Sequence, residues 1–306
     1  GRHRHIFFSL LEQALPCHRL KPCHSPNLEK LLGGMITIYV LVLFRCFVYI
    51  FGNPALAGRA PGAHTYPVAG VPPMLSFRLS SLHAPQWAAQ AFAAAPLGDV
   101  RRSRRAADLA AAMAARPGLS IPSLFDAPYD IKAAYTLLDR PEATPDALQA
   151  PHRQAVRARM AAAGQTFLIL EDTSEMSWSG NLPVAGLGPI GAGSKGLQGF
   201  LLHSALVVAW PRTATGQQHR PPVEVVGLAD QIYHVRQPRP AQEKKGYRYP
   251  RLSRPRESEL WATMGRRLGA APDGVRWERV CDRGADIYEF IAACVALRHG
   301  FARLAR

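Results

Sequence analysis

The chain has few aromatic residues, few cysteines and few acidic residues for its length of 306. Aromatic residues make up 8% and charged residues 19%, against 48% apolar residues, a balance that excludes a disordered tail and indicates a soluble globular protein. The five cysteines form no paired framework, which excludes a disulfide-rich secreted domain and favours a reducing compartment. The 22 acidic residues are outnumbered by 37 Lys and Arg residues.

This shortage of acidic residues leaves a formal net charge of +15 and a pI near 10.2. Such an excess is typical of proteins that bind polyanions, and nucleic acid is the first partner to consider. Arg outnumbers Lys, and Ala, Pro and Gly are abundant, so a GC-rich coding sequence is an alternative source of part of the excess. Leaving out residues 1–73 removes seven basic and two acidic residues, so the rest of the chain keeps +10.

An N-terminal extension, residues 1–83, differs in composition from the rest and contains one long apolar run. Residues 31–51 carry a single charge, Arg45, and are just long enough to cross a bilayer. A charge at the bilayer centre costs about 2.5 to 3.5 kcal/mol, which makes this a weak span. We expect the extension to be poorly structured or spurious, with Met74 as a plausible start, and a membrane to be an unlikely partner. A membrane-anchored protein is the weaker alternative.

Residues 84–164 have the pattern of a small all-helical domain. The Ala-rich run 106–116 favours a helix that Pro117 and Gly118 end. Two further helices are expected, one over 131–138 with Asp130 as its cap and one from Thr144 to about residue 163.

Four arginines stand close together where the first of these helices begins. A helix N-terminus already attracts anions, so arginines placed there favour contact with the phosphates of a nucleic acid. A solvated helix face is the alternative interpretation. The cluster consists of Arg101, Arg102, Arg104 and Arg105.

Residues 165–306 change to short apolar runs of strand length. The predicted order is β-β-β-α-β-α, which indicates an α/β fold with a mixed sheet covered by helices. Strands are expected near 166–170, 200–210, 223–229 and 275–281, and helices near 257–268 and 285–297.

Two aspartates, Asp172 and Asp282, directly follow predicted strands. Side chains at this position emerge at the sheet edge that ligands use, so the two carboxylates could share one divalent cation. A pair of metal ions can activate an attacking hydroxyl and stabilise the leaving oxygen of a phosphodiester. The alternative is a turn, because Asp after a strand is often only a capping residue.

His203 and Ser204 suggest a catalytic pair at first sight. Neighbouring residues of a strand point to opposite faces, so a core histidine with a satisfied ring is the better prediction. The segment 236–256 is rich in Lys, Arg and Pro and is predicted to be a loop, either a solvated linker or a track for a DNA backbone.

Six segments, in this order, resemble the bacterial cut-and-paste transposases of the IS-four type, the Tn-five-like group. The resemblance covers roughly residues 85–306. The segments are Leu97–Arg105 (LGDVRRSRR), Ala134–Pro141 (AYTLLDRP), Glu171–Ser174 (EDTS), Gly199–Ser204 (GFLLHS), Glu257–Trp261 (ESELW) and Cys281–Tyr288 (CDRGADIY).

The resemblance implies a helical domain at 84–164 that grips the transposon end and an RNase H-like mixed sheet at 165–306 that cuts DNA. It implies Mg²⁺ or Mn²⁺ bound by a DDE carboxylate triad, with Asp172 as the first member and Asp282 as the second. It adds Tyr135 and Arg140 to the four arginines as DNA-binding residues. Double-stranded DNA at transposon terminal repeats is the implied partner, a homodimer the implied assembly of the family, and the cytoplasm, at the nucleoid, the implied location.

One departure from the family pattern concerns the third carboxylate. The triad Glu lies on a later helix in the family, and no matching segment exists here; Glu289 is no match for it. Residues 301–306 look like the beginning of the fifth strand, and the family's dimerisation region is absent. We therefore expect an incomplete RNase H-like domain in a C-terminally truncated chain, weak cation binding and negligible cleavage. A non-enzymatic DNA-binding remnant is the main alternative.

Overall fold

The computed structural model describes residues 77–78, 83–179, 186–191, 197–211, 223–237 and 256–303. The predictions for the apolar run 31–51, for Met74 and for most of the basic loop 236–256 lie outside these residues. By their internal contacts the described residues divide into two compact units, with the chain passing from one to the other after residues 155, 208 and 225. No helix in the described ranges has both the length and the apolar character needed to cross a bilayer.

Helices follow one another between residues 84 and 160. α2 begins at Val100 because Asp99 caps it, its carboxylate accepting a hydrogen bond from the Arg101 backbone N–H at 2.8 Å. It ends just before the Pro117-Gly118 pair, as predicted. The helices are α1 (Ala84–Phe92), α2 (Val100–Ala115), α3 (Ile121–Leu124), α4 (Pro128–Leu138) and α5 (Pro145–Met160).

The predicted cap of α4 is wrong. The helix begins at Pro128, with Ala127 at the N-cap, so Asp130 lies within the first turn. Proline suits the first helical position because its ring fixes a helical φ and that position needs no N–H donor. The Asp130 carboxylate instead accepts a hydrogen bond from Arg105 at 2.8 Å.

The strands form one mixed sheet in the order β1-β5-β4-β2-β6-β7, with β3 paired to β4. β2 and β6 are parallel, as are β6 and β7, whereas β3 and β4 are antiparallel. The predicted α/β fold class, helices followed by an RNase H-like mixed sheet, is confirmed. The strands are β1 (Phe77–Arg78), β2 (Thr166–Ser179), β3 (Gly188–Pro189), β4 (Leu197–Trp210), β5 (Val223–His234), β6 (Arg276–Cys281) and β7 (Gly300–Arg303).

Two helices, α6 (Glu259–Leu268) and α7 (Tyr288–Ala296), accompany the second half of the sheet and pack against each other. Where β2 pairs with β6, over residues 166–171 and 276–281, both strands alternate with period two and bury one side chain in every two. The buried residues of this stretch are Phe167, Ile169 and Glu171 on β2 and Trp277, Arg279 and Cys281 on β6. Since Arg279 hydrogen-bonds residues of both helices, this is the face that α6 and α7 cover.

Candidate nucleic-acid interface and carboxylate pair

The four clustered arginines divide into two pairs around the axis of α2. Arg102 donates to the Leu97 carbonyl at 3.0 Å and pairs with Glu142 at 2.8 Å. Arg105 pairs with Asp130 at 2.8 Å and lies over the Tyr129 ring. These two guanidinium groups are therefore used to connect α2 to α4 and to the segment that follows α4.

Arg101 and Arg104 lie on the exposed side of the same helix. Three residues apart, they share one face, and their guanidinium groups have no ion-pair partner among the residues that the structure describes. Ser103 lies on the opposite, buried side, where its hydroxyl donates to the Ala95 carbonyl at 2.7 Å. The helix thus presents two cations to solvent next to its own N-terminus, where anions are favoured.

Tyr135 and Arg140 lie at the C-terminal part of α4 and just beyond it. Tyr135 is 36% exposed, and Arg140 is exposed as well. A hydrogen bond from its own backbone lowers the pKa of the Glu142 carboxyl, and the charges of Arg102 and Arg140 lower it further. Arg140 therefore belongs to the same electrostatic neighbourhood as Arg102.

The strand register aligns the two predicted catalytic aspartates. β2 and β6 are paired in parallel from Thr166 opposite Arg276 to Glu171 opposite Cys281. The prediction that Asp172 follows a strand is wrong, because β2 continues to Ser179, whereas Asp282 does follow the end of β6. The two aspartates come directly after the last register pair, and neighbouring strands lie about 4.8 Å apart. Asp172 is exposed and Asp282 is partly exposed, so both emerge where the pairing of the two strands ends.

Asp282 also caps a turn, which its position in the sequence indicated as the alternative to metal binding. Its Oδ1 accepts a hydrogen bond from the Gly284 N–H at 2.8 Å and caps the short 3₁₀ turn Arg283–Ala285. An ionised carboxylate has about four lone-pair positions, so one capping bond is compatible with cation binding. The capping bond fixes the orientation of the carboxylate.

The donor set suits a hard divalent cation but is small. Carboxylate oxygens are the ligands that Mg²⁺ prefers, and two of them with water and substrate phosphates can complete its coordination. No group of three or more His, Cys, Asp or Glu side chains that could hold a metal ion occurs within the described ranges. Glu289, which does not match the family position of the third carboxylate, pairs with Arg256 at 3.4 Å.

A buried ion pair lies beside Asp172, and sequence reasoning missed it. Arg279 and Glu171 are both fully buried and form a bidentate pair, with Nε–Oε1 at 2.5 Å and Nη2–Oε2 at 2.6 Å. Burial raises the pKa of Glu171, but hydrogen bonds from His203 and Arg279 outweigh it and hold the pKa below its usual range. The sequence did contain a signal for this pair. Glu171 on β2 and Arg279 on β6 each occupy a position that, by alternation with the buried apolar residues of the strand, points into the core.

His203 is a core histidine, as predicted. It is 0% exposed, with one ring nitrogen 2.8 Å from the Thr173 hydroxyl and the other 3.2 Å from Glu171 Oε2. The Ser204 hydroxyl instead accepts a hydrogen bond from the side-chain amide of Gln231. The two residues therefore form no catalytic pair with each other.

A comparison with known families finds one match in the helical region. The transposase DNA-binding family model matches residues 84–143, which span α1 to α4. This range contains all six predicted DNA-binding residues and the exposed arginine face. Residues 84–143 therefore resemble a transposase DNA-binding domain, and the match supports DNA as the partner of this region.

Proposed function

We propose that the chain is a DNA transposase of the cut-and-paste DDE kind, of the IS-four type, built for metal-dependent phosphodiester cleavage and strand transfer. The observation that carries the proposal is the parallel register of β2 and β6, which aligns Asp172 with Asp282 in a chain that also has a transposase DNA-binding domain. A mixed sheet of this kind is a suitable support, because residues at matching positions of neighbouring parallel strands lie side by side.

Each set of residues has a separate role in this proposal. Arg101 and Arg104 bind phosphates of the transposon end, Tyr135 and Arg140 are further DNA-binding residues, and Arg102 and Arg105 hold α2 in place. Asp172 and Asp282 would hold Mg²⁺ or Mn²⁺. When bound, such a cation would polarise a phosphodiester and lower the pKa of an attacking water or hydroxyl.

The number of carboxylates favours a second candidate function, DNA binding without cutting. Two carboxylates provide less charge and fewer fixed ligands than three, so this chain alone should hold Mg²⁺ weakly. The protein would then occupy terminal repeats in the cytoplasm, at the nucleoid, and cut them little.

Competition between DNA duplexes tests the proposed function. The full chain is mixed with a labelled duplex carrying the terminal repeat of its own element and with an unlabelled duplex of equal length and unrelated sequence. We expect selective binding of the terminal repeat and negligible nicking in Mg²⁺ or Mn²⁺. Equal competition by the unrelated duplex would contradict the transposase assignment.

The same reactions separate the two candidate functions. Cation-dependent nicking that disappears in Asp172→Ala would show that two carboxylates suffice for cleavage and would exclude the purely DNA-binding alternative. Selective binding without nicking would favour that alternative.

A further inference from the structure

Four buried or half-buried side chains form a continuous hydrogen-bonded chain beneath Asp172. Thr173 Oγ1 lies 2.8 Å from His203 Nδ1, His203 Nε2 lies 3.2 Å from Glu171, and Glu171 accepts two hydrogen bonds from Arg279. We call these four residues, Thr173, His203, Glu171 and Arg279, the buried network. It joins β4, β2 and β6, three neighbouring strands of the sheet.

Stability alone is a poor explanation for the buried network. Removing two charges from water costs several kcal/mol per ion, and a buried ion pair often stabilises a fold no better than apolar residues of similar size. Buried polar groups are, however, directional and can specify one arrangement of the elements around them. Here Arg279 and Glu171 lie close in register on neighbouring strands, so a shift of β6 along β2 would separate them.

The buried network holds the residues on both sides of Asp172. Glu171 precedes Asp172 and Thr173 follows it, and alternation along the strand places these two side chains on the face opposite to that of Asp172. Fixing both neighbours fixes the backbone between them, which determines where the Asp172 carboxylate can lie.

Trp261 connects the buried network to Asp282. Its carbonyl accepts a hydrogen bond from Arg279 Nη2 at 2.5 Å, and its ring packs edge-on against His203 at 5.1 Å. The same ring lies against Gly284, in the turn that Asp282 caps. A Cβ on Gly284 would lie 2.9 Å from both Trp261 Cζ2 and Asp282 Oδ1, so the turn has no room for one.

We propose that the buried network, with Trp261, is a positioning network that sets the separation of the Asp172 and Asp282 carboxylates for a shared cation. The inference rests on the proposed function, since it concerns the same pair of carboxylates. Its members touch neither the cation nor DNA and act through the two aspartates.

Mn²⁺ binding to the full chain, measured by the loss of the free-ion signal in electron paramagnetic resonance, tests the proposal. Thr173→Val keeps the side-chain shape but removes the hydroxyl, and we expect Mn²⁺ affinity to fall about tenfold, as for other supporting residues of metal sites. Thr173→Ser restores the hydroxyl and should restore the affinity. Binding to duplex DNA should be unchanged in both variants, because the predicted DNA contacts lie elsewhere in the sequence.

Gly284→Ala perturbs the same pair of carboxylates through the turn that Asp282 caps. It provides a second test if Thr173→Val does not fold. The added methyl group must displace Trp261 or Asp282, so Mn²⁺ affinity should fall here too. Loss of binding in Asp172→Asn with unchanged binding in the Thr173 and Gly284 variants would overturn the positioning network alone. Unchanged Mn²⁺ binding in Asp172→Asn would overturn the proposed cation site.

Discussion

At the scale of single residues, the clustered arginines differ in what their charges do. Arg102 and Arg105 already have carboxylate partners, and Arg101 and Arg104 have none within the described part of the chain. The sequence predicts that all four bind DNA, because they stand together at a helix start. It could not predict the division, which depends on where Asp130 and Glu142 lie in the folded helical region.

This division predicts different effects of two double substitutions on DNA binding. The affinity of the protein for DNA falls as salt rises. Arg101→Ala with Arg104→Ala should make the plot of log K against log salt less steep, by about 0.9 for each phosphate that the protein no longer neutralises. Arg102→Ala with Arg105→Ala should mainly lower the free energy of unfolding. Fluorescence anisotropy on one duplex across a salt series, together with urea unfolding, measures both effects.

Arg276→Ala with Arg298→Ala is the matched control for the salt series. It removes the same charge from two exposed arginines outside the matched region. An equal change of slope in this control would mean that net charge, and not the exposed face of α2, sets the affinity.

At the scale of elements, the relation between β2 and β6 determines the candidate site. The sequence predicts both strands from their apolar runs and both aspartates from their positions after them. It does not predict the register, because the pairing depends on contacts between residues more than 100 positions apart. β2 also extends to Ser179, well beyond the apolar run that predicts it, through a stretch in which most residues are polar.

Removing only one partner of the Arg279–Glu171 ion pair should strongly destabilise the protein. Arg279→Met leaves the Glu171 carboxylate buried without its charge partner, and we expect the free energy of unfolding to fall by about 3 to 5 kcal/mol. Urea unfolding followed by circular dichroism measures the change.

An exposed ion pair provides the control for this measurement. Arg298 pairs with Asp273 at 2.8 Å, with side chains 63% and 91% exposed. Arg298→Met should therefore change the free energy of unfolding by about 1 kcal/mol or less. A decrease in Arg279→Met no larger than this would show that the buried pair contributes little to holding β2 against β6.

At the scale of the whole molecule, DNA binding and the carboxylate pair belong to different parts of the sequence. The helical region at 84–143 matches a transposase DNA-binding family model, and the aspartates lie on the sheet that follows. The composition predicts a nucleic-acid partner from the net charge of +15, and the order of elements predicts the sheet. Composition and element order do not show that Asp172 and Asp282, 110 residues apart, each follow one member of the same register pair, Glu171 opposite Cys281.

Cleavage of the polypeptide by bound iron tests the shared cation site most directly. Fe²⁺ takes the place of Mg²⁺ in the full chain, and ascorbate with peroxide then generates radicals that cut the backbone close to the ion. We predict cuts near both residue 172 and residue 282, suppressed together by excess Mg²⁺ and absent in Asp172→Asn. Cuts at only one of these positions, or at neither, would contradict a cation site shared by the two carboxylates.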